Sequence, residues 1–570
     1  MLTARRYRNT SLSFLATPDN RIRSFYVKRD NFHLLTNCEA IAHAFIDLAS
    51  TQNALADDLG FLQARQRLAH DRGDTVFAFL SRQFMQGMIS PAYRIETARR
   101  LRAATEIQLL HLSRLAAAQE SRAAWQALPD ATARAAAATQ LPAPLGPAAN
   151  QSDSNKPLSN AGPPAEISQL VGMGLLPHRF GQRPDGSHPV DHNDQVVDSL
   201  RGRRGYFLPV PDVPLTQVTT QEQETFTAVA RFHQQHWTNF DPLAVSLKRR
   251  PADDPQETNR EILELDAYMS PLDRVKYDRW LTVLGSPTQT TVVHRPEDFL
   301  SVEAVVQGGP LVPSAKDHHL VLGLRDVAEL PEIEPGRLLG KLEMMRAAPA
   351  YVIAWPELGL LRLLQINALS RDEGQGYARL PFQLWRRDCD DYAAISFHRG
   401  LLAELPPQIN RDSSDQWAQL RLRCGDISES AIATWVDAVM ADRGLRASLG
   451  NARFMHALVQ QLGVAPEQSR HVAEQLLDAQ LVCSLGGDYV WQQAPGRWQS
   501  SAWSSTWPLQ LADPAKYQAP LTQWLDGLRL TAALHEDVAE VHATVTIHRV
   551  GPVAADAAPK PSLFKLFQGG

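Results

Sequence analysis

"SLSFLATPDNRIRSFYVKRDNFHLLTN", Ser11 to Asn37, decides the fold class. Leu12, Phe14 and Ala16 alternate onto one face. Pro18-Asp19-Asn20 turns the chain, and Phe25 and Val27 resume the alternation. Arg29-Asp30-Asn31 turns it again before Phe32 and Leu34. Period-two apolar positions punctuated by Pro, Asp and Asn spell a three-strand antiparallel meander. Asn37 is the expected N-cap of the helix "CEAIAHAFIDLA". "DTVFAFLS", Asp74 to Ser81, reads as a further strand, and a long arginine-rich helix is expected from about Ala92 to Gln126. Helices on an antiparallel sheet make this an α+β unit. Because the chain opens inside a sheet, Met1 is not expected to be the natural start of this domain.

Working outward, the composition shifts sharply at residue 129. "PDATARAAAATQLPAPLGPAANQSDSNKPLSNAGPP" has almost no large apolar side chains and cannot bury enough surface to offset its ordering entropy. The expected organisation is therefore an α+β domain over 1–128, a disordered linker over 129–165, and α+β domains over 166–295 and 296–410. A helical module with hairpins over 415–550 and a disordered tail over 551–570 complete the chain. Within the third domain "FLSVEAVV" and "HHLVLGLRD" read as strands. In the fourth segment Asp426 and Glu429 form a capping box ahead of "SESAIATWVDAVMAD". Two more helices, "ARFMHALVQQL" and "PEQSRHVAEQLLDAQ", and the hairpin "LVCSLGGDYVWQQ" give a winged-helix-like module.

The chain has 570 residues, a formal net charge of -5 and 44% hydrophobic residues, which is ordinary globular composition. At about 150 residues per domain this length accommodates about four domains. The mild acidity argues against nucleic acid as a partner, since that needs a basic footprint. No apolar run reaches transmembrane length, and the basic N-terminus lacks the apolar stretch of a signal peptide. Cys38, Cys389, Cys424 and Cys483 are too widely spaced for a zinc or redox motif. As written, the chain reads as cytoplasmic.

No stretch carries a catalytic or cofactor signature, and neither catalytic residues nor a cofactor is expected. The glycine patterns of phosphate-binding loops and the serine-hydrolase elbow are absent. The polar cluster "DGSHPVDHND" offers His188, Asp191 and His192, and "HQQH" adds His233 and His236 from one helix face. Imidazole and carboxylate are zinc or manganese ligands, so these five residues are the candidate metal site of a metal-dependent hydrolase. The competing reading is a solvated turn beside an amphipathic helix. "GRWQSSAWSSTW" spaces Trp498, Trp503 and Trp507 among serines, a candidate peptide- or glycan-binding segment, with packing anchors as the competing reading.

"LSFLATPDNRIRSFYVKRDNFHLLTN", "DTVFAFLSRQFMQGMISPAYRIETARR", "RPDGS", "DSLRGRRGYFLPVPDVP", "HHLVLGLRD", "YVIAWPELGLL" and "LPFQLWRR" together resemble a group of large uncharacterised bacterial proteins of the planctomycete type. The resemblance implies repeated sheet-plus-helix units behind an N-terminal membrane anchor, and a chain that is longer upstream. It implies an envelope location in place of the cytoplasm and supplies no catalytic residues. The function expected on this basis is a non-catalytic structural or interaction protein of the bacterial cell envelope, with protein partners or an envelope polymer. The alternatives are the metal-dependent hydrolase and the peptide- or glycan-binding module.

Overall fold

The computed structural model describes residues 2–16, 22–48, 54–126, 165–192, 195–202, 208–236, 240–252, 259–308, 317–326, 346–356, 371–505, 509–535 and 537–548. The expected tail lies outside the described residues, as does the expected linker except Ala165, where a helix to Gly172 begins. The α+β class holds: antiparallel sheets are packed with helices throughout. The chain divides into two compact units that interleave along the sequence. One comprises Met1–Asp58, Arg82–Phe240 and Gly444–Ala512, the other Leu59–Ser81, Asp241–Arg443 and Asp513–Gly570.

In the first unit the opening meander has four strands, not three: Leu2–Tyr7, Thr10–Ala16, Arg23–Arg29 and Phe32–Thr36, all antiparallel neighbours. Leu12, Phe25 and Val27 are buried against Ala42 and Ile46 of the helix Glu39–Asp47. Asn37 does not cap that helix. The remote Asp212 does, accepting from the Glu39 and Ala40 backbone amides at 2.8 Å each. A 36-residue helix, Pro91–Gln126, runs as expected and packs Leu110 against Leu170, Phe180 and Val196. From Gly444 the unit contains the rest of one continuous helix, Ile432–Leu462, where two helices were expected. The helix Pro466–Leu477 follows. The hairpin is Tyr489–Gln492 with Arg497–Ser500, so Gly486-Gly487-Asp488 precedes it and is not its turn.

The second unit is built on one 13-stranded sheet. Its order is Arg371–Gly374, Tyr377–Arg379, Trp385–Asp388, Ala393–Ser396, Ala350–Trp355, His318–Arg325, Asp298–Val306, Leu420–Cys424, Leu525–Leu534, Ala539–His548, Arg260–Met269, Leu243–Pro251 and Val76–Leu80. Every adjacent pair is antiparallel. All four expected globular segments donate strands to it, so they are not separate sheets; "DTVFAFLS" joins this sheet and not the opening meander. Leu402 of the short helix Arg399–Glu404, with Leu405 and Ile409, packs on Val321, Tyr351, Ile353 and Tyr392. A separate ladder, Thr288–Val292 with Arg411–Ala418, contributes Val292 to the same cluster. Asp426 does not cap the Ile432–Leu462 helix; it closes a local turn by accepting from the Ser428 and Glu429 amides. Asp326 accepts from the Ala431 and Ile432 amides at the helix start.

Candidate functional site

In a strand, alternate residues share a face, and directly opposed residues on neighbouring strands do too. Tyr351 and Ile353 therefore share one face of the large sheet with Gly323 and Val321 on the next strand and Ser301 beyond. Gly323 sits directly opposite Tyr351, and a Cβ there would overlap the tyrosine ring. Without that Cβ the ring lies across the neighbouring strand. Its hydroxyl reaches the strand after that and donates to Asp298 Oδ2. Arg325, opposite Asp298 in the ladder, donates to Glu297 and Glu404 at 2.9 Å each and stands 3.4 Å from Asp298 Oδ1.

These groups edge a cavity of about 320 Å³ between the sheet and its cover. Val321, Ile353, Tyr392, Leu405 and Ile409 make its apolar wall; His294, Arg295, Asp298, Ser301 and Tyr351 are its polar residues. Three buried polar atoms around it have no hydrogen-bond partner among the described residues: Asp298 Oδ1, His294 Nδ1 and Arg295 Nη1. Buried polar atoms are almost always bonded, and leaving one unmatched costs about 1–3 kcal/mol. Burial pushes the Asp298 carboxyl up, against the opposing pull of the Tyr351 hydrogen bond and Arg325. Burial, followed by the bond to Asp298, also pushes the Tyr351 phenol up. His294 is lowered to about 4, first by burial and then by repulsion from Arg423 and Arg529, so it is neutral at pH 7. An apolar hollow with a few convergent, perturbed polar groups is the usual form of a small-molecule site.

The first unit buries charge differently. Arg201, fully buried, donates to both Glu96 oxygens at 2.8 Å and to Asp185 and Ser187. Arg183 bonds Glu106, Ser187 and Asp198. Arg99 forks onto Glu222 at 2.7 and 2.9 Å. The Arg201 pairing holds Asp185 at about 2 despite its burial. "RPDGS" and "DSLRG" thus supply a turn that is locked to the long helix by ion pairs. A cavity of about 330 Å³ beside it is lined by Arg94, Arg99, Arg102, Asp185 and Glu222.

The residues singled out from sequence are dispersed. Asp191 is taken by Arg114, which donates to its two oxygens at 2.9 and 2.8 Å. His188 is buried in the turn with Nδ1 3.1 Å from the Gly186 carbonyl. His233 lies on the helix Thr220–His236 against the rings of Phe232 and Phe240. The side chains of His192 and His236 lie outside the described residues. Among the described residues no three His, Cys, Asp or Glu side chains gather as a metal site. Trp498 is buried with its indole N–H donating to Ser469 Oγ at 2.8 Å, and Trp503 is buried in the same core with Met455 and Leu458. Neither presents an open ring face; Trp507 lies outside the described residues. Among the described residues no helix is long and apolar enough to cross a membrane.

Sequence reading missed Asp298, Tyr351, His294 and Arg295, because the 294–298 segment and Tyr351 lie more than 50 residues apart and meet only through the sheet register. The one legible signal was Gly323 inside the strand "HHLVLGLRD", since a lone glycine in a strand marks a close approach. Comparison with protein families, with curated proteins and with solved structures finds no match to this chain.

Proposed function

We propose that this protein is a ligand-binding interaction protein whose second unit takes a small apolar molecule bearing a hydroxyl group. The three unmatched polar atoms around one apolar cavity carry this reading. A hydroxyl can donate to Asp298 Oδ1 and accept from Arg295 Nη1, while a ring or aliphatic body fills the space among Val321, Ile353 and Leu405. The cavity volume is at the small end of ligand sites, which suits one ring with a short substituent. The envelope location implied by the resemblance belongs to the same proposal, and fractionation of the native cells tests it.

The test uses 4-fluorophenol as probe, with fluorobenzene as its hydroxyl-free control, followed by ¹⁹F NMR. Saturable binding of 4-fluorophenol is expected, weakened at least tenfold in Asp298→Ala and abolished in Ile353→Trp, which fills the hollow. Fluorobenzene should bind more weakly than the phenol. Equal binding of the phenol to wild type and both variants would sink the reading.

A further inference from the structure

Arg423 and Arg529 are direct partners in the ladder between Leu420–Cys424 and Leu525–Leu534, so two guanidinium side chains leave the same sheet face one strand spacing apart. Like charges directly opposed across strands are destabilising. Neither has a carboxylate partner among the described residues. Both line a cavity of about 520 Å³ with Arg250, Arg260, Asp426, Asp526, Thr544 and Thr546. The other two arginines are already matched. Arg250 donates to Glu264 at 2.6 Å; Arg260 donates to Asp526 at 2.8 Å and to Asp426 at 3.1 Å. Four guanidiniums therefore meet three carboxylates, and the uncompensated charge is concentrated on the Arg423–Arg529 pair.

The neighbouring residues leave room for a ligand on that pair. Thr544 stands opposite Arg529 on the next strand, and Thr546, two residues on, shares its face. Gly527, opposite Thr546, contributes no side chain to the row. The field of the pair is felt nearby: it adds to burial, the larger cause, in lowering His294, and burial followed by Arg529 pushes the Arg423 guanidinium below its ordinary value.

We infer that the Arg423–Arg529 pair is a binding site for a phosphate group, carried by a small phosphorylated molecule. Planar guanidinium forks match tetrahedral oxyanions bidentately, and two of them neutralise a dianion. Threonine hydroxyls supply further donors at the same face. The volume exceeds that of a phosphate alone, so an organic remainder fits beside it. The site uses none of the hydrogen-bonding groups of the Asp298 pocket, so its success or failure is read separately from that of the phenol test.

Inorganic phosphate is the probe, titrated into the full chain by calorimetry at low ionic strength, with sodium chloride of equal ionic strength as control. One saturable site is expected, weakened at least tenfold in Arg423→Gln and in Arg529→Gln. Without phosphate, Arg529→Gln should melt no lower than wild type, because it relieves like-charge repulsion; this melt also verifies folding. No saturable phosphate binding by wild type overturns the inference. So does phosphate binding that both variants retain, or a response that chloride reproduces.

Discussion

The two units treat arginine in opposite ways. In the first, Arg183, Arg201 and Arg99 are saturated by Glu96, Glu106, Asp185, Asp198 and Glu222 with Ser187 at the centre. In the second, the Arg295 Nη1 and Asp298 Oδ1 atoms are buried without hydrogen bonds, and the exposed Arg423 and Arg529 face each other across a ladder. A matched buried ion network fixes geometry; its charges have no capacity left for anything else. An unmatched set costs stability, and its persistence beside open space points to an occupant. On the reading proposed above, the difference is that between a structural lock and a site.

The largest effect should come from breaking the lock. Arg201→Ala takes from Glu96 and Asp185 their fully buried cation, leaving Glu96 with Arg100 at 2.9 Å and Asp185 with Arg99 at 3.7 Å, and removing one partner of a buried pair costs about 3–5 kcal/mol. Urea denaturation should show that loss. Replacing the three together (Arg201→Met, Glu96→Gln, Asp185→Asn) should recover part of it, because the carboxylates that Arg201 neutralised are then gone, while Arg99 keeps Glu222. A loss under 1 kcal/mol in Arg201→Ala would mean that the carboxylates reach water, and the contrast between the units would fail.

A smaller effect is expected at the Tyr351 crossing. Gly323→Ala puts a methyl where the ring lies, and overpacking of this kind costs about 1–3 kcal/mol. Tyr351→Phe removes only the bond to Asp298 and should cost about 1 kcal/mol. The double variant should cost less than the sum. Once alanine pushes the ring off Asp298, losing the hydroxyl changes nothing further. Strict additivity in this double-mutant cycle would show that Gly323 does not position Tyr351.

The sequence carried the class and the strands well, and the reasons for the misses are physical. Alternation is local, so "SLSFLA", "FLSVEAVV" and "HHLVLGLRD" were legible as strands; the partner of each strand is not local. "DTVFAFLS" was assigned to the sheet nearest in sequence and pairs instead with Leu243–Pro251. Both expected caps failed for a common reason. Asn37 and Asp426 have the right chemistry at the right place, yet Asp212 and Asp326, each more than 100 residues from the helix it serves in sequence, occupy the amides. The histidine cluster was compact in sequence, but Arg114 from the long helix claimed Asp191. The pocket drew on residues 292 to 410, where only Gly323 hinted at it. Arg423 and Arg529 looked like ordinary polar positions on two strands until the register set them opposite each other.

The smallest effect is the most direct probe of the second unit's unmatched charge. His294 has a folded-state value of about 4 against the ordinary 6.5, so the unfolded chain takes up a proton first as pH falls. The stability tied to neutral His294 is therefore fully present above 6.5 and is lost as pH falls from 6.5 through about 4. NMR titration of the His294 ring should give a midpoint near 4. The double variant Arg423→Gln, Arg529→Gln should raise it while leaving it below 6.5, because burial is the larger cause and persists. Phosphate bound to the arginine pair should raise the wild-type midpoint in the same direction, since it cancels the field that His294 feels. A midpoint indifferent to both changes would place His294 outside the reach of the pair and remove the electrostatic link between cavity and cationic row. A return to 6.5 in the double variant would instead make repulsion the dominant cause and show that the His294 ring is well solvated.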